Sequence, residues 1–209
     1  MAPRSKENNE EIRNTQRQKI LTTALKAFSK YGLHGVKMAD IADEAEVSYG
    51  LIYHYYSSKE KLFSELVHQA YESSLNLFQS SGNTGETPDA QIRYIIDSLL
   101  SSSFQGDGTL YFQIVQQALT LESVPEKINQ LNKEYVPKFF SLLEKIITSG
   151  QQQQLFSGGN PRGIATAFLA LIFGLPFMYL KTDGKPELPS REVIFRLFNI
   201  KDSQAGQVI

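Results

Sequence analysis

An all-α protein of about nine helices is predicted, with a small three-helix unit at the N-terminus and a larger helical unit after it. Three observations lead there. No segment sustains the apolar alternation of period two that marks a half-buried strand. Apolar residues instead recur at three- and four-residue spacing through most of the 209 residues. Helix starts then repeat with legible punctuation: Ser57 to Glu60 and Ser123 to Glu126 as capping boxes, Thr87-Pro88, Asn160-Pro161 and Pro189-Ser190 as cap-and-proline signals.

Residues 1–11 are polar and read as a disordered arm. From Ile12 to Tyr31 the set Ile20, Leu21, Ala24, Leu25, Ala27, Phe28 and Tyr31 keeps to one side of a first helix, and Gly32 stands where a C-cap needs positive φ. Met38, Ile41, Ala42 and Ala45 define a short second helix, and Glu46-Val47 interrupts it. Ser48 can cap a third, Tyr49 to Tyr55. Two short helices across a tight turn form a helix-turn-helix, whose second helix fits a DNA major groove. A fourth helix follows, and the turn formers Ser80 to Thr87 close it. Beyond lie a fifth helix from Pro88, a sixth over Thr109–Thr120, a long seventh to about Gly150, and an eighth and ninth from Pro161 and Ser190. The expected division is an arm (1–11), a helix-turn-helix unit (12–57), a larger helical unit (58–201) and a disordered tail (202–209).

Composition narrows the chemistry. With no cysteine there is no disulfide framework, thiolate metal site or thiol nucleophile, as suits a reducing cytoplasm. The N-terminus lacks the apolar core of a signal peptide. The net charge of −1 conceals an asymmetry. Residues 1–63 carry ten Lys or Arg against eight Asp or Glu, whereas 64–209 carry eleven against fourteen. Between Arg13 and Lys37 six basic residues (Arg13, Arg17, Lys19, Lys26, Lys30, Lys37) meet no acidic residue, the footprint of phosphate neutralisation. An enzyme is not expected. His34, His54 and His68 sit at no metal-binding spacing, and no nucleophile elbow or glycine-rich phosphate loop occurs, so neither metal nor cofactor is predicted.

Ile164 to Leu180 runs 17 residues without a charge. That length is marginal for a bilayer, and Gly174 and Pro176 interrupt it. A helix apolar all round must be buried on every side, so burial against a second copy of the chain is expected rather than a membrane.

Tyr31-Gly32, Ile41-Ala42, Ala45, Val47-Ser48, Gly50, Tyr53, Tyr55-Tyr56, Ser58-Lys59-Glu60 and Leu62 together resemble the N-terminal signature of the tetracycline-repressor (TetR) family. The resemblance implies a homodimeric, ligand-responsive transcriptional regulator, usually a repressor, that binds a double-stranded palindromic operator. It implies base contacts from Tyr49, Gly50, Leu51 and His54, and phosphate contacts from Ser48, Tyr53, Tyr55 and Lys59, with Lys37 as a variant. It also implies dimerisation through the last two helices, here Phe168, Leu171, Leu175, Met178 and Tyr179 with Ile194, Phe195 and Phe198. The chain departs from the family pattern at three places: Lys37 replaces a capping Ser or Thr, Glu46 replaces a turn glycine, and Leu51 replaces a small polar residue.

The remaining aromatics suit an apolar pocket with a few amides: Tyr94, Phe104, Tyr111, Phe112, Gln113, Gln116, Gln117, Phe139 and Phe168. A hydrophobic or aromatic small-molecule effector is the class such a lining would take. The alternative is a helical dimer with a degenerate DNA head that acts through protein contacts.

Overall fold

The structure, a computed structural model, describes residues 6–82, 87–102, 108–181 and 189–198. Among these every regular element is helical, and nine helices follow one another: α1 (Lys6–Gly35), α2 (Met38–Glu44), α3 (Tyr49–Tyr55), α4 (Lys59–Ser80), α5 (Pro88–Ser102), α6 (Gly108–Thr120), α7 (Glu126–Gln152), α8 (Pro161–Lys181) and α9 (Arg191–Phe195). The predicted fold class is therefore the observed one. Two compact units share these helices. One comprises the head through Ala70 together with Gln113–Leu131; the other comprises Tyr71–Phe112 and the chain from Asn132 onward.

The first unit is organised by α1. Its residues Ile20, Leu21, Ala24, Leu25 and Phe28 are buried, as the periodicity predicts. Phe28 meets Phe63 of α4 edge to face, with ring centroids 5.3 Å apart. Met38, Ile41 and Ala42 of α2 and Ile52 of α3 complete the core. The helix begins earlier than predicted: residues 6–11, expected to be disordered, are its first turns. At Gly32 the chain takes φ 74° and ψ 169°, so α1 kinks there before Leu33 and Val36 turn inward.

Two caps lie elsewhere than predicted. The α4 start is capped by Ser58, whose Oγ accepts from Lys61 N–H at 3.3 Å, one residue past the predicted Ser57. The first backbone bonds of α7 run to the Pro125 carbonyl, two residues beyond the Ser123 box. With the helix starting there, Glu126 is its first residue rather than its third, so it cannot play the reach-back part of a capping box. By contrast, Asn160 caps α8 as expected, its Oδ1 accepting from Arg162 N–H at 2.9 Å.

In the second unit Tyr71 and Tyr135 stack nearly parallel, 5.2 Å between centroids. Their hydroxyls donate to Asn132 Oδ1 (2.8 Å) and to the Glu72 carboxylate respectively. Burial pushes both phenols well above their ordinary range, and the Glu72 carboxylate adds to this at Tyr135. Phe139 packs on Tyr71 and Phe78, and Phe168 packs on Phe198. Four residues expected at a dimer seam, Phe168, Ile194, Phe195 and Phe198, are thus buried in the subunit's own core. For Phe168 periodicity could not decide, because α8 is apolar on all sides. Leu171 and Leu175 are half-buried, while the side chains of Met178 and Tyr179 lie outside the described residues. No described helix is long and apolar enough to cross a membrane.

Candidate nucleic-acid interface

The short helix α3 is presented outward by its neighbours rather than by its own stability, since seven residues are too few to persist alone. Ser48 holds its N-terminus: the backbone is extended there and Oγ accepts from Leu51 N–H at 3.2 Å. Ile52, fully buried, pins the inner face. The outer face carries Tyr49, Gly50, Tyr53 and His54, all exposed, with Leu51 half-buried beside them. Tyr49 and Tyr53 lie 4.9 Å apart by ring centroid, and the Tyr49 hydroxyl donates to that of Tyr53 at 3.3 Å. The paired hydroxyls, with some desolvation, hold the Tyr53 phenol above its usual range. Nothing lies within 4 Å of where a Cβ on Gly50 would stand, so the helix surface is open to close approach at that point.

The predicted phosphate holders divide. Lys37 and Tyr53 are exposed. Lys37 precedes α2 in extended conformation and makes no side-chain cap, as its chemistry requires. Tyr55 is instead half-buried and tied to α1, its hydroxyl donating to the Arg13 carbonyl at 3.1 Å and to Gln16 Oε1 at 3.4 Å. Lys59 turns its ammonium to the carbonyls of Val36 (3.3 Å) and His34 (3.5 Å). Its charge therefore also closes the α1–α2 corner. Neither tie is legible in sequence, because the partners are 23 to 42 residues away.

The basic strip of α1 is less free than its composition suggests. Arg17 pairs with Glu65 at 2.6 Å and Lys19 with Glu46 at 3.6 Å. Glu46 sits in the turn at φ 55°, the left-handed conformation that glycine adopts more readily.

The residues expected to line an effector pocket fall in different settings. Tyr94 is exposed, and Phe104 lies outside the described residues. Phe139 and Phe168 are core. Tyr111 and Phe112 are half-buried, and Phe112 meets Phe173 at 6.4 Å between centroids. Gln113, Gln116 and Gln117 belong to the other unit, and Gln117 is spent on α1, its Nε2 donating to the Phe28 carbonyl at 2.9 Å.

Residues 20–66 match the family described as bacterial regulatory proteins, tetR family. Over 141 residues the chain is 26% identical to the probable HTH-type transcriptional regulator YttP of Bacillus subtilis, covering 66% of each. The chain thus spans just under two thirds of that curated relative. Solved structures share the fold over most of the chain. A bacterial regulatory protein in the tetR family from Rhodococcus RHA1 superposes with TM-score 0.74 at 17% identity, over 90% of this chain and 98% of that one. A transcriptional regulator from Saccharomonospora viridis, solved in complex with choline, gives 0.72 at 23%, over 87% and 92%.

Proposed function

The head of this chain is a tetR-family regulatory domain on a helical body of the matching fold, and from that premise we propose that it is a DNA-binding transcriptional regulator working as a homodimer. One observation carries the reading. A pinned, capped α3 shows Tyr49, Gly50, Tyr53 and His54 to solvent on one face, beside a cationic α1. Tyr49 and Leu51 suit thymine methyls, His54 a purine acceptor, and Tyr53, Ser48 and Lys37 the phosphates on either side. Two copies related by a dyad then read a palindrome with half-sites about one helical turn apart. The exposed side of α8, where Ala167 and Ala170 face outward and Leu171 and Leu175 are half-buried, is the surface offered to the second copy.

Regulation follows from linkage. A small apolar or aromatic effector taken up by the 58–201 body releases the operator if it binds the operator-incompetent state more tightly. The choline-bound relative supports small-molecule uptake in this fold. The expected outcome is repression relieved by ligand, in the cytoplasm.

The test is selection of bound duplexes from a random pool by the full chain, followed by salt titration on the winner. An enriched palindrome whose affinity falls steeply with salt supports the proposal. Recovery of no preferred sequence, with affinity indifferent to salt, would overturn it.

A further inference from the structure

The last residue of α3 is held from outside its own helix. The Tyr55 hydroxyl donates to the Arg13 carbonyl of α1 at 3.1 Å, with Gln16 Oε1 as a second acceptor at 3.4 Å. A phenol carries one proton, and an ionised phosphate oxygen can only accept. A hydroxyl committed in this way has nothing to donate to the DNA backbone. Tyr53 differs, because it accepts the Tyr49 proton at 3.3 Å and keeps its own. Tyr55 therefore has a task other than the phosphate holding that the family resemblance implies.

Its ring indicates what that task is. Tyr55 and the exposed His54 meet edge to face, with centroids 5.7 Å apart and planes at 71°. Consecutive residues point about 100° apart around a helix and do not face each other. The contact therefore depends on where the Tyr55 ring is kept, and α1 keeps it. That helix is itself fixed by Ile20, Leu21, Ala24 and Phe28, all buried in the head. An exposed imidazole with no such neighbour turns freely about two bonds, and base recognition would then have to immobilise it.

We propose that Tyr55 is a positioning residue for base recognition. Anchored to α1 by its hydroxyl, it sets the orientation in which the His54 imidazole meets a base edge. The seating of α1 thus enters sequence preference without α1 touching a base. The base-reading part rests on the operator-binding reading; the anchored ring pair does not.

The test uses the full chain with Y55F, H54A and the two combined. Y55F keeps the ring and removes only the tie to α1. In proton spectra of the free chain, the His54 ring should show nuclear Overhauser contacts to the Tyr55 ring. These should weaken by about twofold or more in Y55F, where the ring regains its rotamers. Contacts absent from the parent, or unchanged in Y55F, would overturn the anchoring. Selection from a random duplex pool, followed by competition with single-base-pair changes, identifies the pair whose preference H54A relaxes. Y55F should lower discrimination at that pair by about three- to tenfold, part of what one base pair supplies. Other pairs and the slope of log affinity against log salt should be unmoved, and Y55F should relax nothing further in the H54A background. A loss equal at every sequence overturns the proposal: with the slope reduced by about 0.9 it makes Tyr55 a phosphate holder, and with the slope intact a structural tie alone. If H54A relaxes no pair, or Y55F leaves that pair's preference intact, the proposal falls while the operator reading stands. A parent chain with no preferred duplex refutes the operator reading and the base-reading part with it, and the ring contacts still decide the anchoring.

Discussion

Replacing Gly32 by Ala isolates the backbone requirement at the α1 kink. The added Cβ would meet only Gln117 Oε1, at 3.7 Å, which is ordinary contact, so overlap contributes nothing. The torsions decide the outcome: φ 74° with ψ 169° is a region used almost solely by glycine, and a residue with Cβ pays about 1–3 kcal/mol to stay there. Alanine recovers part of this, about 0.4–1 kcal/mol, because its unfolded chain has fewer conformations to lose. Straightening α1 is the alternative, but it would withdraw Leu33 and Val36, now 2% and 4% exposed, at about 1.5–3 kcal/mol for each side chain. The kink therefore persists, and the net loss is about 1–2 kcal/mol. For a chain of this size that lowers Tm by roughly 2–8 °C. Urea unfolding at fixed protein concentration measures it, with the m-value expected to stay constant. A G32A stability within 0.5 kcal/mol of the parent would refute the reasoning.

Other substitutions separate fold from recognition. G50A should stabilise the chain by about 0.5–1 kcal/mol, because Gly50 lies in α3 with open space at its Cβ, while weakening the operator complex by blocking close approach; a thermal melt beside an anisotropy titration checks both signs. E46G should raise stability by on the order of 1 kcal/mol, since relief of φ 55° outweighs an exposed pair to Lys19, and freeing that lysine should steepen the salt dependence of operator binding. Glu60 is held below the usual carboxylate range by the Ser58 hydroxyl and by its own N–H. Its contribution is therefore present above the unfolded pKa and disappears as pH falls through the lower folded value. E60Q should cost a few tenths of a kcal/mol at pH 7 and nothing once the carboxylate is protonated, so parent and variant denaturation curves converge in acid.

What could be read in the sequence was what local chemistry decides. Ser48 caps α3, and Pro88 and Pro161 open helices, each because a neighbour within a few residues decides it. Residues 6–11 were misjudged for the converse reason. Their polarity suggests solvation, yet polar residues extend a helix whose core-facing turns begin later, at Ile20. Long-range ties were invisible altogether: Tyr55 to Arg13, Arg17 to Glu65 and Gln117 to Phe28 join types common on any helix surface. An aromatic such as Phe168 looks the same in sequence whether it lines a ligand cavity, a partner interface or a core. Packing against Phe198 places it in the core.

The corner around Lys59 is where the fold and the proposed recognition would share one charge. An ammonium has three donors, and the structure commits two, to Val36 and His34 carbonyls, leaving one for a phosphate. Lys37, which stands where a capping side chain would be, leaves α2 without side-chain closure. The Lys59 clamp offsets that absence by fixing the chain just before α2. K59M keeps the length of the stem and removes the charge. If both duties hold, it should destabilise the chain by about 1 kcal/mol and also lower the slope of log affinity against log salt by about 0.9, one phosphate contact. A loss of stability with the slope intact would make Lys59 a clamp alone. The reverse pattern would make the carbonyl contacts incidental, and no change in either would contradict both roles.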